Sequence, residues 1–160
     1  MTLTSFPRLF LTGVAILAVH VRTASAQQQV LELKKGDHIA VIGNTLADRM
    51  QHSGFLEAQL HCRFPEHNLV VRDLGFSGDT ITERPRSENF GSPDQWLSKV
   101  KADVVIAFFG YNESYAGEAG LPQFRKDLEE YIDHTLSQEY NGKSANRLHR
   151  RRIRCSQRTQ

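Results

Sequence analysis

The chain has 160 residues, 39% of them apolar and 24% charged, a composition that suits one globular domain and excludes a collagen-like, disordered or long multidomain protein. Its formal charge of +2 hides a division: Arg8 and Arg22 in the first 26 residues, and seven basic residues from Lys143 to Gln160, face no acid in either stretch. Residues 27–142 hold 11 basic against 18 acidic side chains, a net −7, which does not favour a nucleic-acid or anionic-membrane partner.

Arg8 precedes an apolar run from Leu9 to Val21, and Ala24-Ser25-Ala26 follows with small residues where a signal peptidase reads. The pattern predicts a secretory signal peptide over residues 1–26 and an extracytoplasmic location, periplasmic or secreted. The run is shorter than the ~20 apolar residues that cross a bilayer, so no stable membrane anchor is expected after cleavage. Two cysteines, Cys62 and Cys155, are too few for a disulfide scaffold, and no C-x-x-C pair suggests zinc. Cys62 reads as a small helix-packing residue rather than a reactive thiol.

His38-Ile39-Ala40-Val41-Ile42 is a compact apolar run closed by Gly43 and reads as a buried strand. Asn44 and Thr45 are capping residue types, and the apolar positions Leu46, Met50, Phe55, Leu56 and Leu60 recur at helical spacing with a slip near Gly54. A second strand is expected over Asn68–Asp73, followed by the glycine-rich loop Leu74–Thr80, where backbone N–H groups are accessible. Ser92-Pro93-Asp94 opens a short helix through Trp96 and Leu97. Asp103–Phe109 is apolar on both faces, as a central parallel strand must be, and it ends in Gly110-Tyr111-Asn112-Glu113-Ser114. Leu121-Pro122 then opens a final helix with an apolar stripe of Phe124, Leu128, Tyr131, Ile132 and Leu136. Strand alternating with helix three times is the grammar of an open parallel α/β sheet, whose ligands bind beyond the carboxyl ends of the strands. All three polar turns lie at those ends.

A hydroxyl at the N-terminal end of a helix, Thr45, sits where partial positive charge stabilises an alkoxide or anion, although an ordinary helix cap would use the same residue. Gly78 could offer an unobstructed backbone N–H and Asn112 a side-chain amide to one oxyanion. Turn formation alone also accounts for each.

Taken together, Gly43-Asn44-Thr45-Leu46, Ser77-Gly78-Asp79-Thr80 and Gly110-Tyr111-Asn112-Glu113 resemble, in order and in topological place, the three blocks of the SGNH or GDSL-type hydrolases. The resemblance covers about Lys35 to Gly142, roughly the N-terminal half of such a domain. It implies a flavodoxin-like three-layer α/β/α fold with a parallel sheet, of which three strands of the family's five are expected here. It also implies hydrolysis of acyl esters, on glycans or lipids. By position, Thr45 takes the nucleophile slot. The Thr45 N–H, Gly78 and Asn112 take the oxyanion slots, and Gly43, Asn44, Ser77 and Asp79 support the turns.

Two departures from the family stand out. Its Asp-Ser pair is here Asn44-Thr45, which removes a charge and adds a methyl group that restricts rotation of the hydroxyl. No Asp-x-x-His follows: none of the seven histidines has an acid three residues before it, and no carboxylate follows Glu139. A nucleophilic hydroxyl needs such a base, so little or no turnover is expected of this chain. A non-catalytic descendant that binds a ligand or protein at the same strand ends is the alternative. No cofactor is expected, and no metal, since spacings such as H-E-x-x-H are absent. After Ala145 the text becomes arginine-rich where the resemblance implies another apolar strand. Residues 143–160 are therefore expected to form a solvated basic tail with no core strand, and a frameshift or truncation near Asn146 is expected over a genuine tail on a miniature domain.

Overall fold

In the computed structural model, which describes residues 31–85, 87–143 and 147–148, the apolar run His38–Gly43 is β1. Ile39, Ala40, Val41 and Ile42 are each 4% exposed or less. A strand whose successive side chains point to opposite faces can bury all of them only between two layers. β1 is accordingly an interior strand of a four-stranded parallel sheet with β2 (Val70–Asp73), β3 (Val104–Phe108), interior as well, and β4 (Arg147–Leu148), in the order β2-β1-β3-β4.

Helices α1 (Thr45–Ser53) and α2 (Phe55–Arg63) lead from β1 to β2, and α3 (Ser87–Phe90) and α4 (Pro93–Lys99) lead from β2 to β3. The long α5 (Leu121–Ser137) follows β3. Ile39, Leu69 and Val104 pack on one face of the sheet with Leu60 of α2 and Phe64. Ala40, Ile42 and Val105 pack on the other with Leu97 of α4, Tyr131 of α5 and Tyr140. The result is the three-layer α/β/α arrangement with a parallel sheet. Because the chain leaves β1 for β2 on one side and returns to β3 on the other, the strand order reverses between β1 and β3. In open α/β sheets that reversal opens the ligand crevice at the strands' carboxyl ends.

The helix boundaries have local causes. Asn44 accepts the Leu46 N–H as N-cap of α1, and Gly54, at φ +64°, closes α1 and starts α2, so the slip in the apolar spacing is a break between two helices. Ser92 and Gln95 form a reciprocal capping box on α4, with bonds of 3.2 and 2.8 Å, which satisfies two amides the helix leaves unpaired.

Several expectations are corrected. Residues 147–148, inside the expected tail, form a strand: Val104 pairs with Arg147 and Val105 with Leu148. The open edge of β3 is a row of backbone donors and acceptors that recruits any extended chain. Here the charge of Arg147 is met by an ion pair with buried Asp37, while Leu148 packs on the Ala40 side of the core. The sheet thus has four strands among the described residues, not three. Leu46 and Phe55, expected on an apolar stripe, point outward, and small Ala47 is the residue that α1 buries. Gly75 approaches so closely that a Cβ there would lie 2.5 Å from that of Ala47, which leaves no room for a larger side chain. In α5 Leu136 is exposed and Thr135 takes the buried place. Cys62 is exposed and does not pack, because α2 turns only part of Leu56 and Leu60 inward. The signal segment over residues 1–26 and most of the basic stretch lie outside the described residues.

Candidate functional site

Gly43 ends β1 at φ +137°, and a Cβ on it would meet the Phe108 carbonyl oxygen at 2.3 Å. Only glycine lets β1 and β3 stay this close where the chain turns into α1. The Asn44 N–H donates to the same carbonyl at 3.1 Å, and Gly43 O accepts the Phe76 N–H at 3.0 Å. The first turn is therefore bonded to the end of β3 and to the loop that follows β2. Thr45 follows as the first residue of α1, half-buried. The cap is Asn44, so the Thr45 hydroxyl is not needed for that task. The Thr45 N–H belongs to the helix's first turn, whose amides have no partner within the helix, and the macrodipole places partial positive charge there.

Asn44 is 2% exposed, and its Nδ2 has no hydrogen-bond partner among the described residues. A carboxylate in this buried place would cost more than the neutral amide unless it were paired.

The second turn runs through Phe76-Ser77-Gly78-Asp79, closed by Asp79 N–H to Phe76 O at 3.1 Å with Gly78 at φ +96°. Those values suit a type II turn, which needs glycine at its third position. Space around Gly78 is open, so its glycine answers to conformation and not to packing. Ser77 donates to Asp48 Oδ2 at 2.6 Å, tying this turn to α1 and holding the Asp48 carboxyl below its ordinary value.

The third turn is locked by a residue to which the sequence assigned no role. Glu113 accepts Gly110 N–H on one carboxylate oxygen and Ile81 N–H on the other, both at 2.8 Å. Asn112 Nδ2 donates to Asp79 O at 3.0 Å. The three sequence blocks are thus brought to one sheet edge and bonded pairwise: first to second by Gly43–Phe76 and Asp48–Ser77, first to third by Asn44–Phe108, second to third by Asn112–Asp79 and Glu113–Ile81. An apolar cavity of ≈ 110 Å³ opens beside Gly43 and Asp79, walled by Ile42, Leu74, Trp96 and Leu97.

No histidine stands in these turns. His38 Nδ1 faces Val100 O at 2.8 Å, at the strands' amino ends. His52 and His61 are exposed on the first two helices. Adjacent Asp133 is not the partner of His134. Its Nε2 meets Asp94 Oδ2 at 2.9 Å, and Tyr140 donates to the other Asp94 oxygen. Burial first, and then that bond, push the Tyr140 hydroxyl far above the usual phenol range. These groups line a ≈ 350 Å³ cavity between α4 and α5 with Tyr131 and Arg84, whose guanidinium lies over the Phe109 and Tyr131 rings at 5.0 and 5.7 Å. An Asp–His pair assembled over 40 residues leaves no mark in local spacing. Among the described residues no cluster of metal-ligating side chains occurs.

No family model and no curated protein matches the chain. Solved structures do. One is a gut microbial diltiazem-metabolizing enzyme, 20% identical with a TM-score of 0.54 over 76% of this chain and 28% of that one. Another is an acetyl xylan esterase from Geobacillus stearothermophilus, 16% identical with a TM-score of 0.50 over 66% of this chain and 57% of that one. The chain shares with these structures a parallel-sheet α/β fold. It spans less than two thirds of the length of either neighbour.

Proposed function

We propose that this chain carries the N-terminal half of an exported SGNH-type ester hydrolase, with Thr45 in the nucleophile position and the Thr45 N–H, the Gly78 N–H and the Asn112 amide as the donors for an oxyanion. The observation that supports this reading most is the bond from Asn112 Nδ2 to Asp79 O. A side-chain amide has two N–H groups. One fixes Asn112 against the second turn, and the other is left for a ligand at the strand ends. Donors held this way need no reorganisation when charge develops on a bound carbonyl oxygen.

The acyl-transfer chemistry is incomplete. Attack by the Thr45 hydroxyl requires a base to take its proton, and none of the three turns supplies one. The chain therefore holds an acyl ester, of a glycan or a lipid, and turns it over little. With p-nitrophenyl acetate the purified chain is expected to give hydrolysis near background, unchanged in Thr45→Ala. Robust Thr45-dependent hydrolysis would overturn the inactive assignment.

Asn44, buried and neutral where the family has an aspartate, supports a second reading, a non-catalytic descendant that keeps the ligand site. Supplying a C-terminal half with an Asp-x-x-His separates the two. Thr45-dependent turnover favours the hydrolase, and ligand-dependent stabilisation without turnover favours the binder.

A further inference from the structure

The polar residues of the three turns have large apolar neighbours that do not enter the core. Leu46 follows Thr45, Phe76 precedes Ser77, Tyr111 precedes Asn112, and Tyr115 lies one turn further on. These are four of the eight large apolar side chains that the described residues expose. Half of the large exposed apolar side chains among the described residues thus belong to the one sheet edge that carries the three polar turns, and exposed apolar surface gathered in this way marks an interaction site.

Tyr111 and Tyr115 are the most ordered part of it. They are 64% and 78% exposed, their rings stand edge to face at 5.6 Å, and the Tyr115 hydroxyl donates to that of Tyr111 at 3.2 Å. The short helix Glu113–Ala116 that carries Tyr115 is pinned by Glu113 and by Ser114, whose hydroxyl donates to Tyr111 O at 2.6 Å. Two aromatic faces held open to solvent on a fixed turn have already lost the entropy that binding would otherwise cost.

We infer that Tyr111 and Tyr115 are the specificity platform of this site, receiving the sugar ring of an acyl ester of a glycan whose carbonyl lies at the neighbouring Asn112. The inference rests on the ester-site reading above and names its substrate class. A sugar ring presents a C–H face that packs on an exposed aromatic ring and hydroxyls that pair with a phenol, and tyrosine supplies both surfaces.

The test is calorimetric titration of the whole chain with acetylated xylotetraose, with the same oligosaccharide deacetylated, and with phosphatidylcholine vesicles. The acetylated sugar is expected to bind more tightly than the deacetylated one. The double variant Tyr111→Ala/Tyr115→Ala is expected to bind it about tenfold more weakly, the double phenylalanine variant to fall between that and wild type, and the vesicles not to bind. Melting temperatures of both variants show that the fold is kept. Wild-type affinity in the double alanine variant, tighter binding of vesicles than of sugar, or no binding of either sugar overturns the platform. Loss of affinity in Asn112→Ala without loss in the double alanine variant overturns the platform and leaves the ester site standing. Tyrosine-dependent affinity equal for the two sugars keeps the platform and overturns the ester reading.

Discussion

Glu113 accepts the Ile81 N–H across 32 residues of chain, and with its other oxygen it accepts the N–H of Gly110, three residues before it. One carboxylate therefore sets the distance between the loop after β2 and the turn after β3. A hydrogen bond to a charged group contributes about 1.5–3 kcal/mol. Glu113→Ala is expected to destabilise the fold by ~2 kcal/mol and to loosen Asn112. Glu113→Gln keeps one acceptor and faces the second amide with a donor, so it falls between wild type and alanine. Urea unfolding of the three proteins checks the order.

Two glycines with positive φ should respond unequally to alanine. Gly43→Ala places a methyl group 2.3 Å from the Phe108 carbonyl oxygen, between strands that cannot part without loss of the sheet. It is expected to cost at least ~3 kcal/mol. Gly78→Ala meets open space and carries the conformational penalty alone, ~1 kcal/mol. Denaturant midpoints of the two variants distinguish packing from backbone preference.

The Ser77 hydroxyl lowers the Asp48 carboxyl below its ordinary value of 3.8. A depressed folded-state value stabilises the fold above that ordinary value and is lost as pH falls through the lowered one. Ser77→Ala is therefore expected to raise the Asp48 titration in side-chain NMR and to remove the part of the acid transition that belongs to this link. An unchanged Asp48 titration would show that Ser77 does not set it.

Burial raises Tyr131 and Tyr140 above the ordinary phenol value of 10.0. Stability from a raised group is fully present below the unfolded-state value and is lost as pH rises through the folded-state one. Ultraviolet titration is expected to show Tyr131 and Tyr140 ionising above the ordinary phenol range, and Tyr140→Phe to remove its share of that late fraction.

The strands and helix ends were legible because they are written in adjacent residues. Ile39 to Ile42 and Val104 to Phe108 are apolar on both faces, Asn44 and Ser92 are capping residues, and Gly54 breaks a periodic run. The three turns could be aligned from their blocks alone. What joins them could not be read, since Glu113–Ile81, Asp48–Ser77 and Asn112–Asp79 bond groups far apart in sequence, and such pairs leave no period. β4 was missed because two residues carry no pattern and because arginine argues against a strand until its partner, buried Asp37, is known. Leu46, Phe55 and Cys62 misled because apolar residues on a helix need not all face inward.

The central claim is that the Thr45 N–H, the Gly78 N–H and the Asn112 amide act together as one anion-receiving site. The most direct measurement is NMR of the amide groups during titration with ethyl methylphosphonate, a tetrahedral, singly charged mimic of the acyl-transfer intermediate. The account predicts that the signals of Thr45, Gly78 and the Asn112 side chain shift together with one dissociation constant, and that Asn112→Ala abolishes the response at all three. Shifts confined to other residues, or a Gly78 response that survives Asn112→Ala unchanged, would contradict it.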